Sequence, residues 1–163
     1  MRHGSGHGPC DRMEQRGFTF VVVLVLMALV MLGLSIAGPL WSQQARRERE
    51  QELLRIGALY AEAIASYRQS QTGSLTLNPP KLEELLLDTR FIAVRRHLRK
   101  LYPDPVNPGQ GWGLVLDERG RIAGVRSMSD EAPLAEHTID LGVTVLARAQ
   151  RYSDWKFVPK ERS

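Results

Sequence analysis

Apolar and polar positions are segregated along this chain. Phe18 to Trp41 reads FTFVVVLVLMALVMLGLSIAGPLW, 24 residues without a charge, and Gly17–Ala45 holds no Asp, Glu, Lys or Arg. As a helix at 1.5 Å per residue the run spans roughly 36 Å, enough to cross a hydrocarbon core of about 30 Å with some tilt. A signal peptide has an apolar core of only ~7–15 residues, so Ser35-Ile36-Ala37 as its cleavage site would follow a run already too long. The pattern predicts a membrane-spanning helix over 18–45. Beyond it, Leu53, Ile56, Gly57, Tyr60, Ile64 and Tyr67 share one face at spacings of three and four. That stripe predicts an amphipathic continuation over 46–71, with Gly73 as its stop. Phe18–Ser70 would then be one helix of about 53 residues, roughly 80 Å long.

The remainder reads as shorter pieces. Asn78-Pro79-Pro80 opens a short helix over 81–87, and Arg90–Leu101 suggests a further turn or two. Tyr102-Pro103-Asp104-Pro105 and Asn107-Pro108-Gly109 form a turn-rich break. Trp112–Leu116 and Ile122–Ser127 read as a hairpin around Asp117-Glu118-Arg119-Gly120. After a loop at Ser129–Pro133, Tyr152–Val158 alternates well enough for a third strand. The expectation for 72–163 is a small α+β domain.

Arg16-Gly17-Phe18-Thr19-Phe20, placed directly before the apolar run, resembles the N-terminal processing site of type IV pilins and type II secretion pseudopilins. In that family a membrane peptidase cuts after the leader's terminal glycine, and the new N-terminal residue is N-methylated. The resemblance implies a leader over 1–17, cleavage between Gly17 and Phe18, and methylation of Phe18. It also implies a pilin-like α+β fold, in which a long N-terminal helix with a transmembrane half and an amphipathic half joins a small periplasmic domain. Pro39 is the 22nd residue from Phe18, where family members carry a helix-bending proline. Lacking an N–H, it leaves the Ser35 carbonyl without its helical donor, so a kink is expected. Gly33 and Ala37 add a small-xxx-small spacing that suits close approach of another helix.

One position departs from the family. The fifth residue after the cut is usually Glu, thought to neutralise a neighbouring subunit's terminal amine; here it is Val22. Some minor pseudopilins at the filament tip also lack it, so Val22 points to a minor or tip role. The 17-residue leader is long, and a start at Met13 would shorten it to Met13–Gly17. Either way Cys10 would be absent from the mature protein, and as a lipidation site it lacks a preceding apolar stretch.

Composition adds mainly exclusions. The chain has 163 residues, 43% hydrophobic and 25% charged, with one cysteine and a net charge of +4. Low-complexity disorder, a second sizeable domain and a disulfide scaffold are all excluded. Arginine counts do not orient the apolar run: Arg2, Arg12 and Arg16 precede it, and Arg46, Arg47 and Arg49 follow. Arg95, Arg96, Arg99 and Lys100 form the most basic cluster. Without interleaved aromatics it suits a solvated or subunit-contacting face better than nucleic acid. His97 and His137 have no sequence neighbour that makes a nucleophile–base pair. Ser127, Ser129, Asp130, Glu131 and Asp140 carry oxygens that calcium would accept, but not at loop-site spacing. There is no phosphate-binding glycine loop and no cysteine–histidine metal spacing.

The expected function is that of a pseudopilin-like subunit in a type II secretion or related type IV filament machine. It would be a substrate of prepilin peptidase and not an enzyme, with no cofactor or metal. Its partners would be other pseudopilins or pilins and the inner-membrane assembly platform. It would sit as a single-pass protein of the bacterial inner membrane with its C-terminal domain in the periplasm. A minor pilin for adhesion or DNA uptake, and an unrelated signal-anchored membrane protein, are the alternatives.

Overall fold

The computed structural model describes residues 14–70 and 77–161; the side chains at 14–17 and 34–41 lie outside that description, as does the expected stop at Gly73. The chain divides into two units, Met1–Ala45 and Arg46–Ser163. One α-helix, α1 (Glu14–Gln69), contributes residues to both.

In the first unit, every described side chain from Phe18 to Gly33 is exposed. Among the described residues no helix is long and apolar enough to cross a membrane. This corrects the expected pilin-like fold, whose N-terminal helix was to carry a transmembrane half. The eight remaining apolar positions, 34–41, are among the side chains not described.

In the second unit, the 46–69 part of α1 turns one face inward. Leu53, Ile56, Tyr60, Ala61, Ala63, Ile64 and Tyr67 are all buried. They meet Leu85, Leu98, Ile122, Val125, Leu146, Tyr152, Trp155 and Phe157 in one core. Fully burying each large apolar side chain contributes about 1.5–3 kcal/mol.

Two small antiparallel sheets cover that face, where one had been expected. The first has the order β1 (Gly113–Leu116), β2 (Ile122–Arg126), β5 (Lys156–Phe157). In its register Val125 stands opposite both Leu114 and Phe157. The second pairs β3 (Ile139–Asp140) with β4 (Val145–Leu146). The β1–β2 turn closes through Asp117 N to Arg121 O at 2.8 Å and Gly120 N to Asp117 O at 3.0 Å. Gly120 has φ +72°, a conformation a side chain would strain.

The turn-rich break is pinned to α1 by a single tyrosine. Tyr60 Oη donates to Tyr102 O at 3.0 Å and accepts from Tyr102 N at 2.9 Å, while Trp112 Nε1 donates to the same carbonyl at 2.9 Å. Those bonds bring Trp112 to 5.4 Å from Tyr60 and 6.0 Å from Phe157, ring centre to ring centre.

Three expected elements come out differently. The 81–87 helix is one 3₁₀ turn, Leu82–Leu85. Arg90–Leu101 is not helical, because His97 N and Leu98 N both donate to Leu85 O and so fold the segment back on itself. The third strand starts as a 3₁₀ turn, Tyr152–Asp154, and only Lys156–Phe157 pair as strand.

Candidate functional site

The processing segment is only partly described. Gly17 and Pro39, the expected cut and kink, fall among the side chains outside the description. Phe18 is 74% exposed and Val22 39% exposed. They are four apart on α1 and so share a face. The same unit exposes Phe20, Leu24, Leu26, Leu29 and Leu32, so its apolar surface is not confined to one stripe. A helix that is apolar all round normally has that surface covered by protein or lipid.

Besides the buried Asp104–Ser127 pair, the described residues of the second unit hold two buried polar stations that sequence reading passed over. The first is Glu50, one of the charged residues between Arg46 and Glu52. Its carboxylate is buried on α1 and accepts from Leu134 N at 2.6 Å, Ala135 N at 3.1 Å and Tyr152 Oη at 2.6 Å. One turn earlier, Arg46 donates to Ala132 O at 2.6 Å. Burial, reinforced by the Glu50 carboxylate, raises the Tyr152 phenol far above its ordinary range and keeps it a donor. Helix α1 thereby holds the 132–135 loop and the 3₁₀ turn at Tyr152.

The second station is Asp88, whose side chain is fully buried. It accepts from Arg90 Nε at 2.8 Å, Arg90 Nη2 at 2.5 Å and Arg90 N at 3.1 Å. The Arg90 side chain first, then its backbone N–H and His97, hold the Asp88 carboxyl down at about 2 against the cost of desolvation. Arg90 also lies 3.6 Å over the Tyr67 ring and donates to Tyr67 O at 3.1 Å. His97 Nε2 lies 3.2 Å from Asp88 Oδ2, and His97 Nδ1 lies 2.9 Å from Ser66 Oγ.

Ser66, His97 and Asp88 therefore form a hydrogen-bonded line, a grouping of the kind that the spacing of the histidines had seemed to exclude. Chemically it is a poor nucleophile site. The His97 side chain is only 2% exposed, and the Asp88 charge is already matched by Arg90. An imidazolium formed during catalysis would compete with Arg90 for that carboxylate. The line instead ties loop 88–97 to α1. An open cleft of about 530 Å³ beside Ser66 is lined by Glu62, Gln69, Gly142 and Lys160, and Lys160 is paired with Asp140 at 2.7 Å.

Three of the five oxygen-bearing residues considered for calcium have other partners. Ser127 Oγ donates to the buried Asp104 at 2.5 Å, Asp130 pairs with Arg151 at 3.3 Å, and Asp140 pairs with Lys160. Among the described residues no group of His, Cys, Asp and Glu is placed to hold a metal ion. His137 is exposed. No protein-family model, curated protein or solved structure matches this chain.

Proposed function

We propose that this chain is a pseudopilin-like subunit of a type II secretion or related type IV filament machine, cut by prepilin peptidase between Gly17 and Phe18. One observation carries the reading. The Arg16–Phe20 motif stands at the head of a charge-free run, and every described side chain of that run, 18–33, is exposed. Such a surface needs a cover, and helices of neighbouring subunits supply one in a filament. Before assembly the chain is held at the bacterial inner membrane, with 46–163 on the periplasmic side. Its partners are the peptidase, the assembly platform and other pseudopilins, and its work is packing rather than chemistry.

Intact-mass analysis of protein extracted from membranes tests this. The expected chain begins Phe18-Thr19-Phe20-Val21 and carries one methyl group on its terminal amine. Gly17→Leu should accumulate the uncut precursor, since the peptidase needs a residue without a side chain at the cut. An uncut wild-type chain in cells with active peptidase would replace this reading with a plain signal-anchored protein.

A further inference from the structure

The segment 89–96 is tied at its base and bare at its tip. Asp88 N donates to Arg95 O at 2.9 Å, while His97 N and Leu98 N donate to Leu85 O at 2.9 and 2.8 Å. Buried Asp88 fastens the same base through Arg90 and His97. Between these ties Ile92 is fully exposed and Val94 is 72% exposed. Arg95, Arg96, Arg99 and Lys100, which follow in sequence, are exposed, and none makes an ion pair among the described residues. Arg95 lies 4.9 Å over the Phe91 ring and Lys100 lies 5.0 Å over the Tyr102 ring. The first contact sets a cation against the ring next to Ile92, and neither contact neutralises its cation.

Branched aliphatic side chains in water, followed directly in sequence by a cluster of cations without ion-pair partners among the described residues, match one kind of surface closely. We propose that this loop docks on an anionic phospholipid surface. Ile92 and Val94 enter the boundary between headgroups and acyl chains, and Arg95, Arg96, Arg99 and Lys100 engage lipid phosphates. An acidic protein partner is the less favoured occupant. Protein interfaces draw their affinity from aromatic anchors seated in pockets. Here the nearest ring, Phe91, is half-buried beneath Arg95, and the projecting side chains are aliphatic.

The test uses the full chain carrying Cys10→Ser and Ile92→Cys, with an environment-sensitive fluorophore on the new cysteine. Because the apolar run 18–33 itself favours lipid, the readout is local to the loop and not vesicle binding. In vesicles containing phosphatidylglycerol the emission should move to the blue and be quenched by nitroxide-bearing lipid. High salt should reverse both changes, and pure phosphatidylcholine should give neither. The combined variant Arg95→Gln, Arg96→Gln, Arg99→Gln, Lys100→Gln should weaken insertion more than about tenfold. A label at the exposed hairpin residue Arg119 should stay aqueous throughout. The proposal is overturned by an aqueous label in anionic vesicles, by equal insertion in phosphatidylcholine, or by insertion indifferent to the four charges. An aqueous label in vesicles that turns blue only on adding polyglutamate would assign the loop to an acidic protein instead.

Discussion

Gly57 of α1 lies directly beneath the ring of Phe157, so closely that a Cβ at position 57 would enter the space the ring occupies. Strand β5 can pack onto the helix only because this position has no side chain. The contact sets how close the three-stranded sheet sits to α1, and with it the places of Trp112 and Tyr60.

Gly57→Ala should therefore destabilise the protein, although alanine is the better helix former. The propensity gain is about 1 kcal/mol, and overpacking against a fixed ring costs about 1–3 kcal/mol or more. The expected net loss is up to about 2 kcal/mol or more, read from the urea midpoint of the detergent-solubilised chain. In a Phe157→Leu background the same substitution should cost clearly less. Equal costs in the two backgrounds would mean that the ring is not the obstacle.

Asp88 gives stability a definite pH dependence. Its folded pKa, about 2, lies below the unfolded value near 3.9, so the unfolded chain binds the proton more readily. The contribution is fully present above about pH 4 and is lost as the pH falls through 2. Allowing for the partly exposed Arg90 partner, it is on the order of 1–2 kcal/mol at neutral pH. Asp88→Asn should cost about that much at pH 7 and nearly nothing near pH 2. A stability gap between the two proteins that stays constant from pH 7 to 2 would show that the carboxylate is not the source.

The part of the chain most legible in sequence was that governed by local periodicity. Leu53, Ile56, Tyr60, Ile64 and Tyr67 are buried because a helix brings spacings of three and four to one face. The hairpin at Asp117–Gly120 was legible because its glycine needs a positive φ. A further turn or two of helix was expected over Arg90–Leu101, yet the Leu85 carbonyl and buried Asp88 hold it as a loop. The membrane-spanning reading rested on the whole run Phe18–Trp41, of which the described side chains cover only 18–33. Glu50 and the Ser66–His97–Asp88 line were invisible for another reason. Their partners are distant in sequence, and nothing near Glu50 distinguishes it from Glu48 or Glu52 until Tyr152 packs over it.

That packing makes Glu50 sensitive to a nearly isosteric change. Glu50→Gln would turn one of its two acceptor oxygens toward its three donors into an NH₂ group. Leaving buried donors facing a donor costs about 2–4 kcal/mol. Tyr152→Phe removes only one donor and should cost about 1–2 kcal/mol. Urea unfolding should rank the two in that order, and amide exchange at Leu134 and Ala135 should quicken in Glu50→Gln. A Glu50→Gln variant as stable as the wild type would mean that the carboxylate does not hold this loop.

Within the proposed filament reading, Val22 bears on self-assembly. A subunit with Val22 can give its own terminal amine to a neighbour's glutamate and has none to offer in return. A row of identical copies would leave each added ammonium in an apolar setting without a partner, at a cost of several kcal/mol before relaxation or proton loss. Overproduced alone with the assembly machinery, the chain should form no long homopolymer and should be sparse or tip-located in mixed fibres. Val22→Glu restores the missing partner on the face that also carries Phe18, and it should lengthen homopolymers several-fold by electron microscopy. Val22 is 39% exposed, so the new carboxylate has room to reach a neighbour without disturbing α1. Abundant wild-type homopolymer would remove the minor or tip role and leave the processing reading intact. Unchanged fibre length in Val22→Glu would mean that amine pairing does not limit growth.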